Sequence, residues 1–215
     1  MNNEFLKYKG WALFAVISGI YLLIAFALNY LFVTDSLYYQ SFGQQLTIEQ
    51  INKLLIFFKK WRWFSYILLP FGILPRIIYT TVILYISVFL SNIKIGLRKL
   101  FKVALLADFV YVLAALIKLI ILIFFKEVNT LTDLQFQPLS LIELLNKNAI
   151  DPLFVYPLSL LNAFELLYWL ALAWLLTGIV NQSFGKSLKM VASSYGAGLL
   201  LWVLFVMFLT VNLGS

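Results

Sequence analysis

Four ionisable residues interrupt otherwise apolar stretches of this chain: Arg76, Asp108, Lys118 and Glu165. An Arg, Lys or Asp at mid-helix in a bilayer costs at least about 2.5–3.5 kcal/mol if it faces lipid. Residues of this kind therefore face protein or water. Two chemistries are open to them: a proton or ion path, or an ion-pair network that holds helices together. Their charges sum to zero, which points to pairing. At about 1.5 Å of rise per residue, Lys118 late in one span and Glu165 early in the next reach matching depths. Lys118–Glu165 is the expected pair, and Arg76, near mid-depth, can reach Glu165 or stretch toward Asp108.

Spacing adds a shared face. Asp108, Tyr111, Ala115 and Lys118 recur at helical intervals and form one stripe, and Asn162, Glu165 and Trp169 form another. The two stripes are expected to face each other. The buried polar network is thus Arg76, Asp108, Lys118, Asn162 and Glu165. A structural role is favoured over an ion path, because no His and no second intramembrane acid stands near Glu165.

Enzymatic readings fail at the level of residue types. The chain has no Cys and no His. That removes disulfides, thiolate nucleophiles, Cys-ligated metals and the commonest general base. No Walker A loop or Gly-x-Ser-x-Gly elbow is present, and a His-Glu-x-x-His site is impossible. Intramembrane aspartyl chemistry needs two carboxylates at one site, and a depth count sets Asp108 and Glu165 apart. No catalytic residue, cofactor or metal site is expected.

The elements that position these residues are membrane spans. Of the 215 residues, 63% are hydrophobic and 12% charged, with a mean hydropathy of +0.96. Soluble domains carry about 25% charged residues, so a water-soluble fold of this composition would expose large apolar patches. A span needs about 20 apolar residues. Spans are expected at 11–32, 63–90, 101–125, 157–180 and 190–211. The first run is too long for a signal-peptide core and reads as an uncleaved span. Thr47 and Gln50 stand in capping-box positions, opening an amphipathic helix over 47–60 with Ile48, Ile51, Leu55 and Phe58 on one face. It is expected to lie on the membrane surface. A second short amphipathic helix is expected over 138–146. Pro70, Gly72 and Pro75 predict a kinked or broken second span. The fold class is therefore an all-α integral membrane protein. It forms a bundle of five transmembrane helices plus one or two interfacial amphipathic helices, in a single membrane domain over 1–215.

Lys/Arg bias orients the chain with its N-terminus inside and its C-terminus outside. Lys7, Lys9, Lys94, Arg98, Lys99, Lys102, Lys186 and Lys189 then lie inside, and the acidic 126–156 connector outside. The net charge of +7 is explained by such flanking residues and implies no nucleic-acid partner. The interfacial cluster Lys59, Lys60, Trp61, Arg62 and Trp63 goes against this bias, and its charges are expected to snorkel to headgroups. Small residues gather in the fifth span: Ala192, Ser193, Ser194, Gly196, Ala197 and Gly198. Their small-xxx-small spacing suits close helix approach, as does Gly178, either within the chain or against a partner.

The segment from Asp151-Pro152 through Asn162-Ala163-Phe164-Glu165-Leu166-Leu167-Tyr168-Trp169 to Thr177-Gly178, with Lys186 and Lys189 beyond it, resembles the Yip (Ypt-interacting protein) domain family in its bacterial branch. The likeness is strongest over 135–212. It implies five spans, a cytoplasmic N-terminus and a bacterial cytoplasmic (inner) membrane location. The acidic-aromatic motif of eukaryotic members is missing, so vesicle traffic is not implied. Some bacterial relatives accompany MacB-type ABC exporters. The resemblance thus implies a non-catalytic accessory or scaffolding subunit, with an ABC permease as candidate partner. The alternatives are an autonomous small-solute or ion transporter that uses the buried charges, and a lipid-handling or membrane-shaping protein.

Overall fold

The computed structural model describes residues 9–145 and 150–213. Lys7 and residue 146, the last of the short helix expected over 138–146, lie outside them. Five helical stretches are long and apolar enough to cross a membrane: Gly10–Phe32, Ile48–Leu90, Leu97–Phe124, Ala163–Val180 and Phe184–Asn212. The chain is an all-α, multi-pass membrane protein, as its composition requires.

The helices are α1 (Gly10–Phe32), α2 (Asp35–Phe42), α3 (Ile48–Leu90), α4 (Leu97–Ala107), α5 (Phe109–Phe124), α6 (Pro152–Leu160), α7 (Ala163–Val180), α8 (Phe184–Val191) and α9 (Ala197–Leu213). They pack as two compact units. One holds residues 1–15, 75–111 and 137–215, and the other 16–74 and 112–136.

In the first unit, α7 is central. It buries Phe164, Glu165, Tyr168, Leu172, Ala173, Leu176 and Val180, residues that recur every three or four positions along one face. Leu84 and Val88 of α3, Leu100, Val103 and Ala107 of α4, and Val191 and Tyr195 complete this core. The second unit has a smaller core away from the span centres. Tyr38 of α2 meets Ile51 and Leu55 of α3, with Val33, Phe42, Leu46 and Leu131 packed around them.

Several expected elements change. The surface helix over 47–60 and the span over 63–90 are one helix, α3, of 43 residues. The capping box is there: the Thr47 N–H donates to Gln50 Oε1 at 2.9 Å, and the Gln50 N–H donates to Thr47 Oγ1 at 3.4 Å. The amphipathic face does not lie on lipid along its length. Ile51 and Leu55 are buried in the small core, while Ile48 and Phe58 are exposed. At about 1.5 Å per residue, α3 is about 65 Å long, more than the about 40–45 Å of a whole bilayer. Part of α3 therefore exceeds the thickness of a bilayer crossed along its normal. The helix also runs unbroken through Pro70 and Pro75. Proline's fixed φ of about −65° is already helical, and transmembrane helices tolerate the lost donor.

Breaks occur elsewhere. The third span, expected at 101–125, is α4 and α5 with a gap at Asp108. There the Tyr111 N–H reaches back only three residues, to the Asp108 carbonyl at 3.0 Å. The fourth span, expected at 157–180, starts later. Helix α6 ends at Leu160 and α7 begins at Ala163, with Asn162 as its N-cap. The gap is closed by an isolated bridge between Ser140 and Asn162. The Leu141 N–H donates to Leu161 O at 3.0 Å, and the Ala163 N–H to Leu139 O at 3.2 Å. The fifth span, expected at 190–211, runs from Phe184 and changes to a π-helical turn over Ala192–Gly196. Over 138–146 only a 3₁₀ turn, Leu141–Leu144, replaces the expected amphipathic helix.

Candidate functional site

The first unit contains a buried polar network anchored on three helices. It starts at Asp108, which is fully buried. Arg76 Nη2 lies 2.7 Å from Asp108 Oδ1 and donates to Oδ2 at 2.9 Å. The Arg76 side chain keeps 36% of its surface exposed while Asp108 keeps none. The arginine thus carries its charge from the margin of the unit to an acid sealed inside. Of the two partners open to Arg76 in the sequence, Asp108 is the one it takes.

The guanidinium carbon also lies 4.2 Å from the centroid of the Tyr111 ring, in cation–π geometry. The Tyr111 hydroxyl in turn donates to Glu165 Oε2 at 2.5 Å. Trp169 Nε1 donates to the other oxygen, Oε1, at 3.0 Å. Glu165 is 6% exposed, and these two donors engage both its oxygens. Lys118, expected as its partner, is half-buried and belongs to the second unit. Within the first unit Glu165 bonds to a phenol and an indole, and the acids that a depth count set apart are joined through one tyrosine. A depth count compares backbone heights, and here the ring of Tyr111 spans the difference from Arg76, the partner of Asp108, to Glu165.

Local sequence explains how Glu165 is placed. Asn162 Oδ1 accepts from the Glu165 N–H at 2.8 Å, so Asn162 is not a mid-span polar residue but the cap that starts α7. Its amide Nδ2 donates to Ser159 O at 3.0 Å, tying the end of α6 to the start of α7. The carboxylate lies in the first turn of α7, where the helix dipole favours negative charge. Trp169, one turn on, reaches back to it.

Aromatic residues wrap this group. The rings of Tyr111 and Tyr168 lie 4.7 Å apart, those of Tyr168 and Tyr195 5.3 Å, and those of Trp169 and Tyr195 6.0 Å at 88°. Tyr168, with no exposed surface, donates to Thr80 Oγ1 of α3 at 3.1 Å. Thr80, Tyr168 and Tyr195 were not singled out from the sequence. Their signal was weak: Tyr168 is three residues from Glu165, and Tyr195 is the one bulky residue in a run of small ones. The π-helical turn that carries Tyr195 places it against Tyr168 and Trp169, and π turns recur at functional positions.

The small residues divide. A Cβ added at Gly196 would come within 2.7 Å of the Trp169 ring, and one at Gly198 would overlap Ile83 and Tyr79. These glycines admit neighbours of the same chain. Ala192 is exposed and Gly178 half-buried. The interfacial cluster divides as well. Lys59 Nζ donates to Asp35 Oδ2 of α2 at 2.7 Å, so its charge has a partner within the protein. Lys60, Trp61 and Trp63 are exposed, while Arg62 is half-buried. Among the described residues no group of three or more Asp, Glu, His or Cys is arranged to hold a metal ion.

Comparison of the chain with protein-family models, with curated proteins and with solved structures finds no match.

Proposed function

We propose that the chain is a non-catalytic accessory or scaffolding subunit that binds another integral membrane protein. The observation that carries this reading is the closure of the buried polar groups on one another. Asp108 takes Arg76, and Glu165 takes Tyr111 and Trp169. Mutual contacts of this kind tie helices together without calling on a transported ion. The wide apolar faces of the spans, with residues such as Phe71, Phe89 and Phe208 exposed, leave room for lipid and for a protein partner. The Yip-like C-terminal segment makes an ABC-exporter permease the first partner to test. We place the chain in a bacterial cytoplasmic membrane with the N-terminus inside.

The test is affinity purification from native membranes in mild detergent, with mass spectrometry of the co-purifying chains. A stoichiometric ABC permease or its ATPase is the expected result, and recovery of the chain alone, stable and monodisperse, refutes the reading. Topology is open to direct mapping, because the chain has no Cys. Lys94→Cys should resist a membrane-impermeant maleimide in intact cells, and Glu127→Cys should react.

A second reading, an ion or small-solute transporter, is favoured by one specific observation. The α4–α5 gap, the α6–α7 gap and the π turn all lie beside network residues, and discontinuous helices often mark substrate sites. Glu165→Gln separates the two. In a scaffold it lowers stability or assembly and changes no flux. Loss of a measured flux in a folded, assembled Glu165→Gln variant decides for transport.

A further inference from the structure

Helix α3 carries five basic residues, Lys53, Lys59, Lys60, Arg62 and Arg76, and one acid, Glu49. Three of the cations have carboxylate partners: Lys53 with Glu49 at 2.9 Å, Lys59 with Asp35 at 2.7 Å, and Arg76 with Asp108. Among the described residues no carboxylate pairs with Lys60 or Arg62. Both lie among aromatic residues. Phe57 and Phe64 fall three and four residues from Lys60, on its face of the helix, Trp61 stands next to it in sequence, and all three are exposed. Arg62 lies on the opposite face and is half-buried. The rings of Phe57, Trp61, Trp63 and Phe64 form a continuous cluster, with Trp61 6.4 Å from Trp63 and 5.9 Å from Phe64.

From this point α3 continues into Ile67, Leu68 and Phe71, which are exposed and apolar. In the other direction it enters the small core around Ile51 and Leu55, which the protein itself covers. The cluster therefore stands where α3 passes from lipid to the extramembrane core. Tryptophan and long cations at that level suit headgroups. Two cations without a carboxylate among the described residues, on opposite faces of one helix, suit anions supplied from outside the chain. The charge and the aromatic collar together select a phosphate diester attached to acyl chains.

We propose that residues 57–64 of α3 form a collar that binds the headgroups of anionic glycerophospholipids, with Lys60 and Arg62 as the two charge contacts. This holds for a scaffold and for a transporter alike.

The test is native mass spectrometry of the purified full chain in detergent, supplied with equimolar phosphatidylglycerol and phosphatidylcholine. The wild type should retain phosphatidylglycerol preferentially. A basic residue near an anionic surface contributes enough to shift binding about fivefold, so Lys60→Gln should lower the preference by about that factor, and Lys60→Gln with Arg62→Gln should lower it further. Lys60→Arg should restore it, and Lys53→Gln, whose residue is already paired, should leave it unchanged. Lys60 is exposed, so the single variant remains readable if the double variant fails to fold. An unchanged preference in folded Lys60→Gln overturns the proposal. So does loss of the preference on adding soluble glycerol phosphate, which would mark a site for free phosphate.

Discussion

Arg76 lies over the ring of Tyr111, 4.2 Å from its centroid, while the hydroxyl of that same ring points away to Glu165. One tyrosine thus offers its face to the cation that pairs with Asp108 and its edge to the other buried acid. The ion pair and the Glu165 group, on different helices, are thereby made one network.

Removing the acid of the pair leaves the guanidinium without its anion. Breaking a buried pair costs about 3–5 kcal/mol. Arg76 retains 36% exposure, so some solvation remains and the lower end applies. Asp108→Asn should destabilise the protein by about 3 kcal/mol, measured by reversible unfolding in mixed micelles. A loss under about 1 kcal/mol would class the pair with surface bridges.

Tyr111→Phe keeps the ring under Arg76 and deletes the donor to Glu165. A buried acceptor left short of a partner costs about 1–3 kcal/mol. The same range applies to Trp169→Phe, which strips the other carboxylate oxygen. Because both donors serve one carboxyl group, the double variant should be non-additive by about 0.5 kcal/mol or more. Strict additivity in the double-mutant cycle would mean that Glu165 does not couple them.

Gly196→Ala forces a methyl group against the Trp169 ring, at 2.7 Å from its nearest atom before any shift. Overpacking of this kind costs about 1–3 kcal/mol. Ala192 lies one turn earlier and is exposed, so Ala192→Leu should change stability by no more than about 0.5 kcal/mol. If Ala192→Leu weakens recovery of a co-purifying membrane protein at unchanged stability, the exposed part of this run is a partner surface.

Asp133 in the connector has a pKa held below the usual aspartate value. Burial pushes it up. The Thr130 hydroxyl, the Thr130 and Asn129 backbone N–H groups and the charge of Lys126 outweigh that effect. A group with a depressed folded pKa stabilises above its unfolded value, about 3.9, and loses that contribution as pH falls through the folded value. An NMR titration should place the Asp133 midpoint below about 3.9, with the 129–133 turn loosening as it protonates. A midpoint at or above that value refutes the assignment, and Asp133→Asn should remove the acid-dependent change.

Much was legible in the amino-acid order alone. Apolar runs about 20 residues long can be satisfied only as helices in lipid, so the number of spans and the all-α class follow from composition and length. The Thr47–Gln50 box follows from side chains that bond within one turn, and the cost of intramembrane charge singles out Arg76, Asp108, Lys118 and Glu165 from the sequence. Tertiary structure decided which partners these residues take and where the helices break. Asn162 caps a helix because residues 139–141 pair with its gap, and no local pattern announces a bridge to a segment some twenty residues away. Pro70 and Pro75 remain helical while Asp108 stands at a gap. A proline's effect on its own turn is local, but the place where a span yields depends on which neighbours satisfy the groups that are freed. Tyr111 joins Arg76 to Glu165 for the same reason. Periodicity places a residue on a face of its own helix, and only the packing of helices decides what that face meets.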